Sequence, residues 1–452
     1  MALIRGVAAA LAAVLALAAA TVPAVAVVPP EVAVGPAPPD GPPGPEVPTK
    51  QDKACLATGV LPDSDLSRTP PPELALDLPR ARALSRGGGV TVAVVDTGVG
   101  PNPRLRDLVS GGDYVTAGGD GLADCDAHGT LIAGIIGAAS DPADGFTGVA
   151  PDARILSVRY RSGAFSAERP NPDQAQQLSA DIRTMARAIT HAANQGAGVI
   201  AVTLPLCVPA GAPIDQSMLS AAIGYAVHVQ GALIVAGAGN TGGQGCEQNP
   251  DSDPARPDDP RNWRDVKTIS VPGWFTPDVL TVGFTTAAGA VMPESLTGPW
   301  VSVAAPGTGV ESLGPGGGGL INGVGEPGKL VPVGGASYAA AYVSGVAALL
   351  RSRFPNETPA DIAGRLTSSA HAPARGVDNV VGAGVIDPLA ALAYRTPPQP
   401  PVGLYAAGRV TLPAPARAKD LRPAVTAAIV ILVVAIFGIG ASSAKAAIRR
   451  RP

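Results

Sequence analysis

Val90-Thr-Val-Ala-Val-Val-Asp96-Thr-Gly98 opens the part of the chain that decides the fold. Val90–Val95 is uncharged, almost wholly apolar, rich in β-branched side chains and too short for a lone helix. Such a run reads as a strand buried on both faces, the kind that parallel sheets use. An aspartate ends it and a glycine-containing turn follows, which sets a carboxylate at the carboxyl end of a buried strand. Working outward, Arg154–Val158, Gly198–Leu204, Ala232–Ala238 and Val279–Phe284 repeat the pattern, and Asp173–Gln195 and Asp215–Gln230 between them have helical spacing. This alternation predicts an α/β fold, a doubly wound parallel sheet with helices on both faces. In such sheets functional residues gather at the carboxyl ends of strands, where Asp96 stands.

Two further stretches bear reactive side chains: His128-Gly-Thr-Leu-Ile-Ala-Gly134 and Gly334-Gly-Ala-Ser337-Tyr-Ala-Ala340. A serine hydroxyl is a weak nucleophile at neutral pH and needs a neighbouring base. His128, ahead of an apolar helical run, can be that base, taking the hydroxyl proton and later giving it to the leaving amine. Asp96 would hold the imidazole tautomer. Ser337 opens a helical stretch crowded with alanine and glycine, whose N-terminal dipole favours developing negative charge. Taken singly, Asp96 reads equally well as a turn former, and Ser337 more readily as a helix cap. Cys125 is near enough to His128 for a Cys–His pair to be weighed, but an exported chain and the complete serine context disfavour it. The chain order Asp…His…Ser separates this arrangement from those of chymotrypsin and the α/β-hydrolases.

On these three motifs the chain resembles the subtilisin-like serine proteases, over about Gly87 to Ala393. The resemblance implies peptide-bond hydrolysis by Asp96, His128 and Ser337. It also implies that Asn240, in Val235-Ala-Gly-Ala-Gly-Asn240, donates its amide to the oxyanion beside the serine N–H. Thr203-Leu204-Pro205 matches the family's substrate-binding strand. Two positions depart from the usual pattern: Ala336 replaces the threonine before the serine, and Ala341 the proline shortly after it. Both bear on where the serine sits and how its helix starts. No calcium-ligand loop stands out, so neither metal nor cofactor is expected.

The flanks narrow the resemblance. Arg5, the apolar run Val7–Ala20 and the small-x-small site Ala24-Val-Ala26 read as a secretory signal. Ala424–Ala441 is uncharged and long enough to span a bilayer, with Lys445, Arg449, Arg450 and Arg451 behind it. The positive-inside bias then leaves the tail in the cytoplasm and the body outside. The alternative, a buried core helix, is disfavoured after a proline-rich linker with no domain left to bury it. The expected organisation is a signal over 1–26, a proline-rich extension over 27–86, the peptidase domain over 87–395, a linker over 396–423, a span over 424–444 and a tail over 445–452. That plan resembles the mycosins, membrane-anchored proteases of type VII secretion in mycobacteria and related actinobacteria. The mycosin likeness implies limited proteolysis of a secreted protein substrate and a place among the membrane components of the secretion complex. A mainly structural role with dispensable proteolysis, or a general cell-surface subtilase, are the alternatives.

Four cysteines in an exported chain imply disulfides, and three pairings are open. The preferred one is Cys55–Cys125, stapling the N-terminal arm beside His128, with Cys207–Cys246 closing a loop near Asn240. Their spacing fits no zinc site. A net charge of −3 offers no nucleic-acid surface. Pro29–Pro48 is expected to be extended and poorly packed. Residues 27–86 are too short and proline-broken for a compact inhibitory prodomain, so a permanent, non-inhibiting wrap is expected. Tyr160–Pro172, Thr241–Arg264 and Leu313–Gly328 read as irregular insertions, the last as mobile.

Overall fold

The computed structural model describes residues 27–242, 246–374, 376–394 and 427–435. Seven parallel strands form its central sheet: β1 (Thr91–Asp96), β2 (Leu108–Asp113), β3 (Arg154–Arg159), β4 (Val199–Val202), β5 (Leu233–Gly237), β6 (Val279–Thr285) and β7 (Val301–Pro306). Their spatial order is β7-β6-β5-β4-β1-β3-β2. From β1 the chain builds one edge, then crosses over and builds the other half from β4 onward. The reversal falls between β1 and β4, where Val95 pairs with Val202. A crevice therefore opens beyond the carboxyl ends of these two strands.

Five of the seven strands are the buried apolar runs read above. The other two, β2 and β7, are the sheet's edges. Leu108-Val-Ser-Gly-Gly-Asp113 is half exposed and carries two glycines, and Val301-Ser-Val-Ala-Ala-Pro306 ends in proline. Exposure accounts for β2, since an edge strand need not be apolar on both faces; β7 is buried at five of six positions, and its serine and terminal proline break the apolar run.

Five helices frame the sheet: α1 (His128–Gly137), α2 (Gln174–Asn194), α3 (Ser217–Gly224, continued by a π turn over Tyr225–Val229), α4 (Ala336–Arg353) and α5 (Pro359–Ser368). Asp173 caps α2, its carboxylate accepting the N–H groups of Ala175 and Gln176. The α1 and α4 helices pack on each other and on the sheet, while α2 and α3 pack together as a separate layer. Ala336 to Leu350 is buried at every position. Only a helix of such small residues lets its neighbours approach from all sides without voids.

The N-terminal arm corrects one expectation. Residues 27–48 form no strand or helix, but they are not poorly packed. Val27 and Val32 lie against the core. Asp40 accepts hydrogen bonds from His191 and Asn194, Glu46 pairs with Arg183 at 2.8 Å, and Arg187 donates to the carbonyl of Gly44. The polar outer face of α2 thus anchors a segment too poor in large apolar side chains to anchor itself. Thr49–Gln51 then pairs antiparallel with Phe165–Ala167, and Ala57–Gly59 with Gly323–Gly325. Two of the three insertions read as irregular therefore supply strands to the arm. Cys55 is bonded to Cys125 and Cys207 to Cys246.

The chain divides into two units, Met1–Tyr394 and Arg395–Pro452. In the second, residues 427–435 are helical, and Ile429 to Val434 expose their apolar side chains. Among the described residues no helix is long and apolar enough to cross a membrane. The signal, the linker, the tail and the rest of the expected span lie outside the described residues.

Candidate active site

Asp96 ends β1 and His128 begins α1, and the first turn of α4 carries Ser337, so three distant segments meet above the crevice. His128 Nδ1 lies 2.8 Å from Asp96 Oδ1, and its Nε2 lies 2.9 Å from Ser337 Oγ. A carboxylate can only accept, so Nδ1 carries the hydrogen and a neutral ring offers the Nε2 lone pair to the serine. Asp96 is fully buried and takes two more hydrogen bonds, from the Thr97 N–H at 2.7 Å and the Thr203 hydroxyl. Burial works against the Asp96 charge, but His128 and these donors outweigh it and hold the carboxyl below its ordinary range. For His128, burial opposes the cation. The Asp96 carboxylate, then Asp124 and Asp126, overcome that and raise its pKa above the ordinary value. The Tyr338 ring stands against the imidazole, centroids 5.3 Å apart.

One group escaped the sequence reading. Asp124 accepts hydrogen bonds from Thr97 Oγ1 at 2.8 Å, the Thr130 N–H at 2.8 Å and Thr130 Oγ1 at 2.6 Å. Thr97 Oγ1 in turn accepts the Gly129 N–H at 2.9 Å. Asp124 thereby ties the turn after β1 to the first residues of α1 and fixes the Asp96–His128 geometry from behind. Burial raises its pKa against these hydrogen bonds. The only local sign was two aspartates flanking Cys125, just ahead of the histidine. A side chain at Gly129 would collide with the Gly98 carbonyl, so α1 and the turn touch backbone to backbone.

Asn240 follows β5 by a few residues, and its Oδ1 accepts the Ala336 N–H at 3.0 Å. That bond uses the acceptor and leaves the Nδ2 amide as the outward donor. It is made by the backbone of residue 336, so alanine serves it as well as threonine would. Gly335 has φ +135°, and a Cβ there would sit 3.0 Å from Asn240 Oδ1. The Ser337 N–H belongs to the first helical turn, where the helix itself offers no partner. Ala341 is buried within an unbroken α4.

His128, Ser337, Tyr338 and Asn240 line one cavity of about 1030 Å³ with Leu204, Pro205 and the Cys207–Cys246 bridge. Among the residues lining it, none comes from the N-terminal arm. Of the expected substrate strand, Thr203 directs its hydroxyl to Asp96, and the Leu204 carbonyl accepts the Tyr160 hydroxyl. His191, His228 and His371 stand elsewhere, beside Asp40, Asp278 and Asp387. Among the described residues no cluster of His, Cys, Asp and Glu could hold a metal ion.

Residues 87–384 match the subtilase family, peptidase S8. The chain is 46% identical over 409 residues to Mycosin-1 of Mycolicibacterium smegmatis, covering 89% of this chain and 90% of that one. Among solved structures it is similar to MycP1 from the ESX-1 type VII secretion system, with TM-score 0.79 and 47% identity over 83% of this chain and 98% of that one. A chain in the structure of an intact ESX-5 inner membrane complex matches with TM-score 0.79 and 44% identity, covering 93% of this chain and all of that one.

Proposed function

The chain belongs to the subtilase family, and on that premise we propose a mycosin-like serine endopeptidase of a type VII secretion complex that uses Asp96, His128 and Ser337. The observation that carries this reading is the hydrogen-bonded series Asp96–His128–Ser337 at the sheet's reversal point, opening on a cavity of about 1030 Å³. His128 Nε2 removes the hydroxyl proton as Ser337 Oγ attacks the substrate carbonyl. The proton then passes to the leaving amine, and water repeats the sequence to release the acyl group. Asp96 stays ionised and stabilises the imidazolium. The oxyanion receives the Asn240 amide and the Ser337 N–H at the start of α4. Leu204 and Pro205 form one wall along which the substrate lies, and the four half-cystines brace the arm and the cleft.

Residues 1–26 act as a cleaved signal and 424–444 as the membrane span in this reading. The arm over 27–86 stays in place, and the peptidase domain works outside the cytoplasmic membrane among the other components of the complex. Fluorophosphonate labelling of the protein with Ser337 intact or as Ser337→Ala tests the chemistry: labelling that survives the substitution overturns the assignment. A second reading, a scaffold with dispensable proteolysis, draws support from the similarity to a chain of the ESX-5 complex. Cells carrying only Ser337→Ala separate the two. Export is lost if proteolysis is the essential role and kept if physical presence is.

A further inference from the structure

A second cavity, of about 570 Å³, adjoins the cleft, and the two share Arg161, Gln177 and Asp181 in their walls. The residues that line it but not the cleft include Val47 on the arm, Phe165–Ala167 and Ala180 on α2. Those walls are fixed before anything binds. The arm and Phe165–Ala167 are paired as strands, Glu46 is bridged to Arg183, and the Arg159 guanidinium lies over the Phe165 ring at 4.7 Å. Val47 is 52% exposed and lines this cavity, an apolar side chain with no cover of its own. Preformed walls of mixed apolar and charged character suit a polypeptide, because little has to be ordered on binding.

In the main cleft, one residue of the expected substrate strand cannot donate to an extended substrate. Pro205 has no N–H, and one lone pair of the Leu204 carbonyl is taken by Tyr160. Sequence-independent backbone pairing beside the scissile bond is weakened there, and contacts made farther along the substrate gain in relative weight.

We propose that the second cavity is a remote subsite for the protein substrate. The chain held at Ser337 continues past Arg161 and Asp181 and lodges an apolar side chain among Val47, Phe165 and Ala180. The arm thereby becomes part of the recognition surface, and cleavage is confined to substrates extended enough to reach it. This rests on the peptidase reading above, so the test reports the two separately.

The probe is a library of peptides of about 14 residues, which when extended reach roughly 45 Å. One cleaved member is then shortened stepwise from either end. With the wild-type protein, kcat/KM falls about tenfold once truncation on one side withdraws the remote residue; a flat length dependence overturns the proposal. Ala180→Trp and Ala167→Trp each place a large side chain in the lining of this cavity and outside that of the cleft. Each reduces cleavage of the long peptide about tenfold, a change equal to one modest contact, and leaves the shortened peptide and fluorophosphonate labelling unchanged. Long-peptide cleavage at the wild-type rate in both variants overturns the proposal. Absence of labelling in the wild type overturns the peptidase reading instead.

Discussion

Thr203 shows how an active site can depend on a residue that touches no reacting atom. Its hydroxyl donates to the buried Asp96 Oδ2, while His128 is held by the other carboxylate oxygen. Thr203→Val keeps the shape but leaves that oxygen without its donor. A buried acceptor stripped of its partner costs about 1–3 kcal/mol. Denaturant unfolding should show a loss of that size, and kcat should fall about tenfold with KM little changed. A variant as stable and active as the wild type would remove Thr203 from the support of Asp96. In the proposed mechanism His128 sets the pH dependence. Only the neutral ring accepts the serine proton, so activity disappears as pH falls through its pKa. Asp96 raises that pKa, so the acid limb of kcat/KM should centre above the ordinary histidine value of about 6.5. Asp96→Asn removes the raising charge. The limb should then move to lower pH while kcat drops by roughly 10⁴-fold. A limb that stays in place would mean a different group titrates.

At the scale of elements, what the sequence disclosed followed burial. Strands β1, β3, β4, β5 and β6 are apolar on both faces because helices cover them, and they could be read directly. Of the edges, β2 is half exposed and carries serine and two glycines, while β7 is buried at five of six positions but is interrupted by serine and ends in proline. The Asp96, His128 and Ser337 contexts could be read because each sits at a chain turn with fixed glycine requirements. Asp124 could not, since its role depends on Thr97 and Thr130 arriving from two other turns. The arm was misjudged for a related reason. Its anchors are single polar side chains, Asp40 and Glu46, whose partners lie on the distant α2. The Cys55–Cys125 bridge fastens that arm three residues ahead of His128. Replacing both cysteines by serine should cost about 2–4 kcal/mol in urea unfolding. No arm residue lines the cleft, so hydrolysis of a short peptide should persist. Its abolition in a folded variant would make the bridge a support of the histidine rather than of the arm.

For the whole molecule, the peptidase unit and the C-terminal helix treat their apolar side chains in opposite ways. The peptidase unit buries its apolar side chains in its own core, whereas the helix over 427–435 leaves Ile429, Val430, Ile431, Leu432, Val433 and Val434 uncovered. Each such side chain is stabilised by about 1.5–3 kcal/mol when removed from water, so six in a row require a cover. In the proposed function that cover is a lipid bilayer, in keeping with the uncharged sequence around them and the arginines behind. Under the proposed function a tether would favour limited proteolysis, because an enzyme held at a membrane complex would meet substrates leaving through it at high effective concentration. The full chain should therefore remain with membranes through an alkaline carbonate wash. A version ending at residue 420 should be released with its fluorophosphonate labelling unchanged. Retention of the shortened protein on washed membranes would place the anchor in the peptidase unit, and release of the full chain would deny an integral span.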